Sequence, residues 1–231
     1  MSTALKNPAV KARRVFVVDD HPLIREGLAA QISTQPGMQM CGEAEDVAEA
    51  LARISEAEPD LVIVDISLKN GNGIDLVKRL KSKEPGLVIL VWSMYPENLY
   101  AERALRAGAR GYVNKSKTAG QIMEAITTVL DGRTYLSPDM SEKLLGRVIG
   151  GGPKEIEITG VDTLTDRELE TFELLGQAMT TQQIASKMHV SRKTIETYRA
   201  RIKEKLGLTN AVELIQHAVQ WVMAKSEQQS Q

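Results

Sequence analysis

Residues Val15 to Leu28 read VFVVDDHPLIREGL. Val15 to Val18 have the length and β-branched character of a buried strand. The run stops at two neighbouring carboxylates, Asp19 and Asp20, and an apolar pattern of helical period follows at once. Like charges side by side repel unless something positive holds them. The stretch therefore makes two demands: a sheet to bury the strand, and a cation to hold its end.

The rest of the first half of the chain meets the first demand. Short β-branched runs recur at Leu61–Val64, Leu87–Val91 and Gly111–Val113, with a weaker one at Met38–Gly42. Between them apolar residues fall at helical spacing. Leu23, Leu28 and Ile32 mark the first such segment, and Val47, Ala50, Leu51 and Ile54 the second. Ile74, Val77 and Leu80 mark the third, Leu99, Ala104 and Leu105 the fourth, and Ile122, Ala125, Ile126 and Val129 the fifth. Strands alternating with helices predict βαβ units, hence a doubly wound, five-stranded parallel sheet covered on both faces.

Around Ser137 the pattern changes. A short helical stretch leads to Gly150-Gly151-Gly152-Pro153, the clearest boundary in the chain. After Asp162 only helical signals remain. The expected organisation is an α/β domain over 12–134, a linker with a short helix over 135–160, and an all-α four-helix domain over 161–225. Thr165 with Glu168 forms a capping box; Thr180 or Thr181, Ser191, and Thr209 or Asn210 cap the later helices.

Composition narrows the function classes. Hydrophobic residues are 42% and charged residues 26% of the 231, which supplies a core and argues against wholesale disorder. A net charge of −1 gives no global field toward nucleic acid or membrane, so such a partner needs a local patch. The single cysteine, Cys41, cannot form an internal disulfide, which fits a reducing compartment, and its apolar neighbours predict a small core hydrophobe. The opening MSTALKNPAVKARR lacks the apolar run of a signal peptide, and no stretch approaches the ~18 residues that span a bilayer. A cytoplasmic location with no membrane partner is expected.

The second demand is met at the strand ends. The first strand ends at Asp19-Asp20, the third at Asp65, the fourth at Ser93, and the fifth is followed by Lys115. Ligands of open α/β sheets bind outside the carboxyl ends of the strands. With the first and third strands adjacent, three carboxylates converge, a donor set for a hard divalent cation such as Mg²⁺ (or Mn²⁺). Asp65 is then placed to act as a nucleophile that forms an aspartyl-phosphate. Lys115 would offset charge on the phosphoryl oxygens, and Ser93 would hydrogen-bond one of them. Taken singly, each residue is a turn, a cap or a solvated charge. Their order on four strands carries the reading.

Those residues, with Tyr112, resemble the receiver domains of bacterial two-component response regulators, over roughly Arg14 to Leu130. The resemblance implies a flavodoxin-like order of five parallel strands and a sensor histidine kinase as phosphodonor. It makes Asp65 the phosphoacceptor, Asp19 and Asp20 metal-site acids, and Ser67 the donor of a backbone carbonyl to the metal. It also makes Ser93 and Tyr112 the switch pair and Lys115 the phosphate-binding lysine. One departure is Lys69, in SLKNGNG, where the family usually has proline. Its plain reading is an exposed charge. A looser loop, altered phosphate lifetime or altered partner choice are the alternatives.

The second half carries its own signal in TTQQIASKMHVSRKTIETYRARIKEKLGL. Ile184, Ala185 and Met188 make an apolar stripe, and a short break at His189-Val190 leads into a longer helix. Two helices joined by a tight turn read as a helix-turn-helix. From Lys187 to Lys205, seven cations face two carboxylates, a local charge of +5. Such a cluster suits the phosphates of double-stranded DNA, although a solvated basic face is the ordinary reading. Arg192, Lys193, Thr194 and Thr197 sit near the helix start, and Arg201 lies farther along its basic face. Ile195, Ile202 and Leu206 read as core. Tyr198 either packs inward or touches phosphate. Glu196 either accepts from a cytosine amino group or pairs with a neighbouring arginine.

This region closely resembles the four-helix DNA-binding domain of the NarL/FixJ (LuxR-type) regulators, over about Asp162 to Met223. The resemblance implies transcription control by a homodimer on paired half-sites. It also implies that the last helix helps two copies pair; Val212, Leu214, Ile215, Ala218 and Val219 have room for that, and the alternative is that they only cover their own domain's core. The expected protein is thus a phosphorylation-switched transcriptional regulator and not a multiple-turnover enzyme. An alternative is a Mg²⁺-dependent phosphohydrolase with Asp65 as nucleophile, which leaves the helical half unexplained. A third reading keeps DNA binding without the phosphate switch.

Overall fold

The computed structural model describes residues 12–149 and 160–228. The glycine–proline boundary at 150–153 and the opening residues 1–11 lie outside them. The chain divides into two compact units, meeting between Ser141 and Glu142.

In the first unit, strands β1 (Arg13–Val18), β2 (Met38–Ala44), β3 (Leu61–Val64), β6 (Val88–Ser93) and β7 (Gly111–Asn114) form one sheet. It is parallel throughout, in the order β2-β1-β3-β6-β7. Helices α1 (Pro22–Ser33), α2 (Val47–Ala57), α3 (Gly73–Lys83), α4 (Glu97–Ala107) and α5 (Ala119–Leu130) connect the strands. This is the flavodoxin-like order, which sets β1 between β2 and β3. Val15, Val17, Leu61, Ile63, Leu90 and Val113 pack with Leu28 and Ile32 of α1 and Ile122, Ile126 and Val129 of α5. The alternate residues, Phe16, Val18, Val62, Val64, Ile89 and Val91, are also buried, as a strand covered on both faces requires.

Local chemistry starts the helices. Pro22 opens α1, where its missing N–H costs nothing. The Asp46 side chain accepts from Glu49 N at the start of α2, and Asn72 accepts from Ile74 N at the start of α3. Thr118 and Gln121 make a capping box on α5. Past α5 the chain returns to the sheet edge: Tyr112 N–H donates to Tyr135 O at 3.0 Å, and Tyr135 N–H to Arg110 O at 3.2 Å. Ser137 N–H then donates to Glu97 Oε1 on α4 at 2.8 Å, just before α6 (Pro138–Ile149) begins.

Three expectations need correction. Leu23 fits the helical period of α1 yet is 80% exposed, because it lies in the first turn of the helix, outside the sheet's cover. The buried face of α4 is Tyr100, Ala101, Ala104 and Ala107, while Leu99 and Leu105 are half-buried. Small residues there let the helix approach the strands. Cys41 is only half-buried. The β1–β2 register jumps from Val15↔Met40 to Phe16↔Gly42, so Cys41 is the extra residue of a bulge and turns off the core. A short hairpin, β4 (Ser67–Leu68) with β5 (Gly71–Asn72), was also not anticipated; two-residue strands carry no period to read.

The second unit is helical. A 3₁₀ turn at Gly160–Thr163 precedes α7 (Asp166–Gly176), α8 (Thr181–Lys187), α9 (Arg192–Leu206) and α10 (Ala211–Gln228). Thr165 with Glu168 and Thr180 with Gln183 form capping boxes, and Ser191 caps α9. Asn210 Oδ1 accepts from Val212 N and Glu213 N, capping α10. The core joins Leu169, Phe172, Ile184, Met188, Ile195, Ile202, Leu214 and Ala218, whereas Leu206 is only half-buried. Helices α7 and α10 touch at Gly176, where an added Cβ would lie 2.4 Å from Ala218 O. Among the described residues no helix is long and apolar enough to cross a membrane.

Candidate functional site

The strand order brings the carboxyl ends of β1 and β3 side by side. Asp19 and Asp65 follow them directly and are 1% and 3% exposed. Lys115, just past β7, reaches both: its Nζ lies 2.6 Å from Asp19 Oδ2 and 2.5 Å from Asp65 Oδ2. The same ammonium sits 5.7 Å from the centre of the Trp92 ring. Ser93, the last residue of β6, is fully buried, and its hydroxyl acts on the Asp65 carboxylate. Ser67 N–H points at Asp65 Oδ1 from 3.4 Å. Gly73 lets α3 begin directly against the Asp65 backbone, since a Cβ there would stand 1.9 Å from Asp65 O.

Charge is left over at this site. Asp19, Asp20 and Asp65 contribute three negative charges, and Lys115 returns one positive. Burial raises the Asp65 carboxyl above its ordinary range, with Asp19 adding to the effect and Lys115 opposing it. Burial alone would lower the Lys115 ammonium, but Asp65 and Asp19 outweigh it and raise it. One donor was overlooked in the sequence. His21 Nδ1 lies 2.7 Å from Asp20 Oδ1 and 3.2 Å from Asp19 Oδ1. One ligand atom from each of Asp19, Asp20, His21 and Asp65 fits within 4.8 Å of the others. The only signal for it was its place directly after the paired acids.

Tyr112 lies one strand over from Ser93. Its ring is fully buried, and its hydroxyl donates to Tyr95 O at 2.6 Å. Asn114 Nδ2 donates to the same oxygen at 2.8 Å. Lys69 is exposed and pairs with Glu45 at 3.1 Å. It precedes Asn70, whose φ is +57°, in the β4–β5 turn. The Lys69 backbone also forms an isolated parallel bridge with Asp46.

In the second unit the turn between α8 and α9 runs through His189, at φ +53°. On α9, Arg192, Lys193, Glu196, Thr197 and Arg201 are exposed, and Thr194 and Tyr198 are half-buried. Two of the polar side chains are engaged locally. The Thr194 hydroxyl pairs with Ser191 Oγ at 2.8 Å, and Thr197 donates to Lys193 O at 3.0 Å. Glu196 Oε1 accepts from Arg199 at 3.1 Å and from Thr181 at 3.2 Å. The Thr181 hydroxyl also accepts from Arg199, so α8 and α9 are tied together there. On α10, Leu214 and Ala218 face the core, Val219 is half-buried, and Val212, Ile215 and Met223 are exposed.

Two family models match the chain: the response regulator receiver domain over residues 15–127, and the bacterial regulatory proteins of the luxR family over 162–218. The "DNA-binding transcriptional activator DevR/DosR" of Mycobacterium tuberculosis is 36% identical over 84% of this chain and 88% of its own. The chain is a LuxR-type response regulator. The "Response regulator GacA" of Pseudomonas viridiflava is 31% identical over 89% of this regulator and 95% of its own length. Among solved structures, RcsB of Salmonella enterica serovar Typhimurium, bound to promoter P1flhDC with the phosphomimetic BeF3-, is 26% identical. It has a TM-score of 0.58 and covers 90% of this chain and 98% of that one. The regulator thus joins a receiver domain to a LuxR-type DNA-binding domain, the architecture that its two units display.

Proposed function

We propose that this response regulator takes a phosphoryl group on Asp65 from a sensor histidine kinase and that the modified form binds promoter DNA as a homodimer. The observation that carries the reading is the Lys115 ammonium shared by two buried carboxylates, Asp19 and Asp65. In the transfer, an Asp65 carboxylate oxygen attacks phosphorus. A P–O bond forms as the P–N bond to the kinase's phosphohistidine breaks, and the imidazole leaves. Lys115 exchanges a carboxylate for the phosphoryl oxygens, and the Ser93 hydroxyl turns to donate to one of them. Motion of Ser93 is transmitted to Tyr112, whose strand also carries the Tyr135 segment at the sheet edge. Asp65 accepts and slowly loses its phosphoryl group, so the protein is a switch and not a turnover enzyme.

A divalent cation, Mg²⁺ or Mn²⁺, fits the donor set, because three carboxylates face one ammonium in a largely buried pocket. Asp19, Asp20, Asp65 and the Ser67 carbonyl would hold it, and it would neutralise charge on the phosphoryl oxygens. On the DNA side, Arg192, Lys193 and Arg201 would contact the duplex, with Thr194, Thr197 and Tyr198 beside them. Glu196 would chiefly hold Arg199. Val212, Ile215 and Val219 form an apolar stripe on α10 for pairing two copies. The domains would span 12–134 and 161–225, joined by 135–160, and a regulator of promoters acts in the cytoplasm.

The test is retention of genomic DNA fragments at moderate salt, with and without acetyl phosphate and Mg²⁺. Wild type should gain specific retention with the phosphodonor, and Asp65→Asn should not. Equal specific binding by both proteins under all conditions would leave DNA binding standing and remove the switch.

A further inference from the structure

We infer that His21 supplies a nitrogen ligand to the cation site of the receiver domain, so that this regulator favours Mn²⁺ or Zn²⁺ over Mg²⁺. The inference rests on the reading that the acidic cluster holds a divalent cation. Lys115 occupies one side of the pocket, through Asp19 Oδ2 and Asp65 Oδ2. The opposite oxygens, Asp19 Oδ1 and Asp65 Oδ1, receive the backbone N–H groups of His21 and Ser67, at 3.0 and 3.4 Å. His21 Nδ1 lies on that same side, 3.2 Å from Asp19 Oδ1 and 2.7 Å from Asp20 Oδ1.

Ligands on opposite sides of an ion with bonds of roughly 2.1 Å are about 4.2 Å apart. Donor atoms within 4.8 Å of one another therefore need only a small closure around one cation. The ring is also held in place by the fold. His21 is the N-cap of α1, its carbonyl accepts from Ile24 N at 3.1 Å, and its side chain makes no capping bond. Its backbone is fixed and its imidazole is directed to the acids instead. An imidazole nitrogen adds affinity for Mn²⁺ and more for Zn²⁺, while Mg²⁺ takes oxygen ligands and keeps its waters.

The competing explanation is that His21 merely orients Asp20 by a hydrogen bond. Calorimetric titration of the full-length protein with Mn²⁺ and, separately, Mg²⁺ distinguishes the two, alongside pulsed electron paramagnetic resonance of the Mn²⁺ complex. Wild type should show ¹⁴N coupling to Mn²⁺. In His21→Gln, an exposed position that keeps a hydrogen-bonding side chain, the coupling should vanish. Mn²⁺ affinity should fall by about 10-fold or more, with Mg²⁺ affinity unchanged. Mn²⁺ binding without nitrogen coupling overturns the inference and leaves the cation site intact. So does an equal loss of both ions in the variant, which assigns His21 an orienting role. Coupling that persists in His21→Gln places the Mn²⁺ on another histidine and overturns it too. If wild type binds neither ion, the cation reading itself falls.

Discussion

Each unit of this regulator buries a carboxylate beside a lysine, and the two arrangements behave in opposite ways. In the DNA-binding unit, Glu168 is 2% exposed and has Lys205 Nζ at 2.6 Å. It also accepts from Thr165 N–H at 2.8 Å. Burial works against the charge there, but Lys205 and Thr165 outweigh it and hold the carboxyl below its ordinary range. In the receiver, Asp65 is just as buried and has Lys115 at 2.5 Å, yet its carboxyl is raised. Burial is the first cause, and Asp19 adds to it by claiming the same ammonium, so Lys115 and Ser93 do not offset the two together. One acid per base makes a structural pair. Two acids on one base, with Asp20 alongside, leave excess negative charge that a bound cation or a proton would offset.

Breaking the structural pair should have the largest effect. Lys205→Met strands the Glu168 carboxylate, and the second unit should lose about 2 kcal/mol. This lies below the fully buried range because the Lys205 side chain is a third exposed. Urea unfolding followed by Trp221 fluorescence, in a Trp92→Phe background, reads that unit alone. An unchanged midpoint would remove the distinction drawn between the two sites.

The same pair fixes the pH dependence. The Glu168 pKa is depressed on folding, so its contribution is complete above the unfolded value of about 4.3 and is lost as pH falls through the lower folded value. For Asp65 the sign reverses. Its folded pKa is raised, so the fold is favoured in acid, and that advantage is lost as pH rises from about 3.9 through the folded value. Between pH 5 and 3, Trp221 should therefore report loss of stability earlier than Trp92 does. A simultaneous loss would mean that other carboxylates dominate both units.

A smaller effect, of opposite sign to the first, is expected at the functional site. Asp65→Asn removes a repelling charge and should stabilise the receiver by on the order of 1 kcal/mol, and it should abolish the response to acetyl phosphate. Trp92 fluorescence in a Trp221→Phe background tests this, and destabilisation would show that Asp65 is as fully compensated as Glu168. The smallest effect sets the baseline for changes without charge. Ala178 lies at φ +60° between α7 and α8. Ala178→Gly should relieve a left-handed strain and stabilise the second unit by about 0.5 kcal/mol, net of the greater freedom of the unfolded glycine. A loss of stability would mean that the alanine methyl packs more than its backbone strains.

Much of this was readable before any coordinates. Alternating periods located all five sheet strands and their helices, because burial on a sheet or a helix repeats every 2 or 3.6 residues. Thr165 and Ser191 were recognised as caps, and Thr180 as one of two candidates beside Thr181, because the motif is complete within four residues. Single residues at the ends of elements were harder. Leu23 fits the period but falls beyond the sheet's cover, and Cys41 is turned off the core by a bulge that depends on pairing with β1. On α10 the apolar set was evident, but its division into buried Leu214 and Ala218 and exposed Val212 and Ile215 depends on where α7 packs.

By itself, then, the sequence determined the element order, the division into an α/β and a helical half, and the acids, lysine and basic helix on which the proposed function rests. Local periodicity and capping are written into neighbouring residues. Tertiary structure alone decided how charge is shared: that Lys115, fifty residues from Asp65, serves Asp19 as well, that His21 turns toward the acids, and that Glu196 is held by Arg199. Coulomb energy and burial depend on distance through space, and that distance follows from the order in which strands and helices pack.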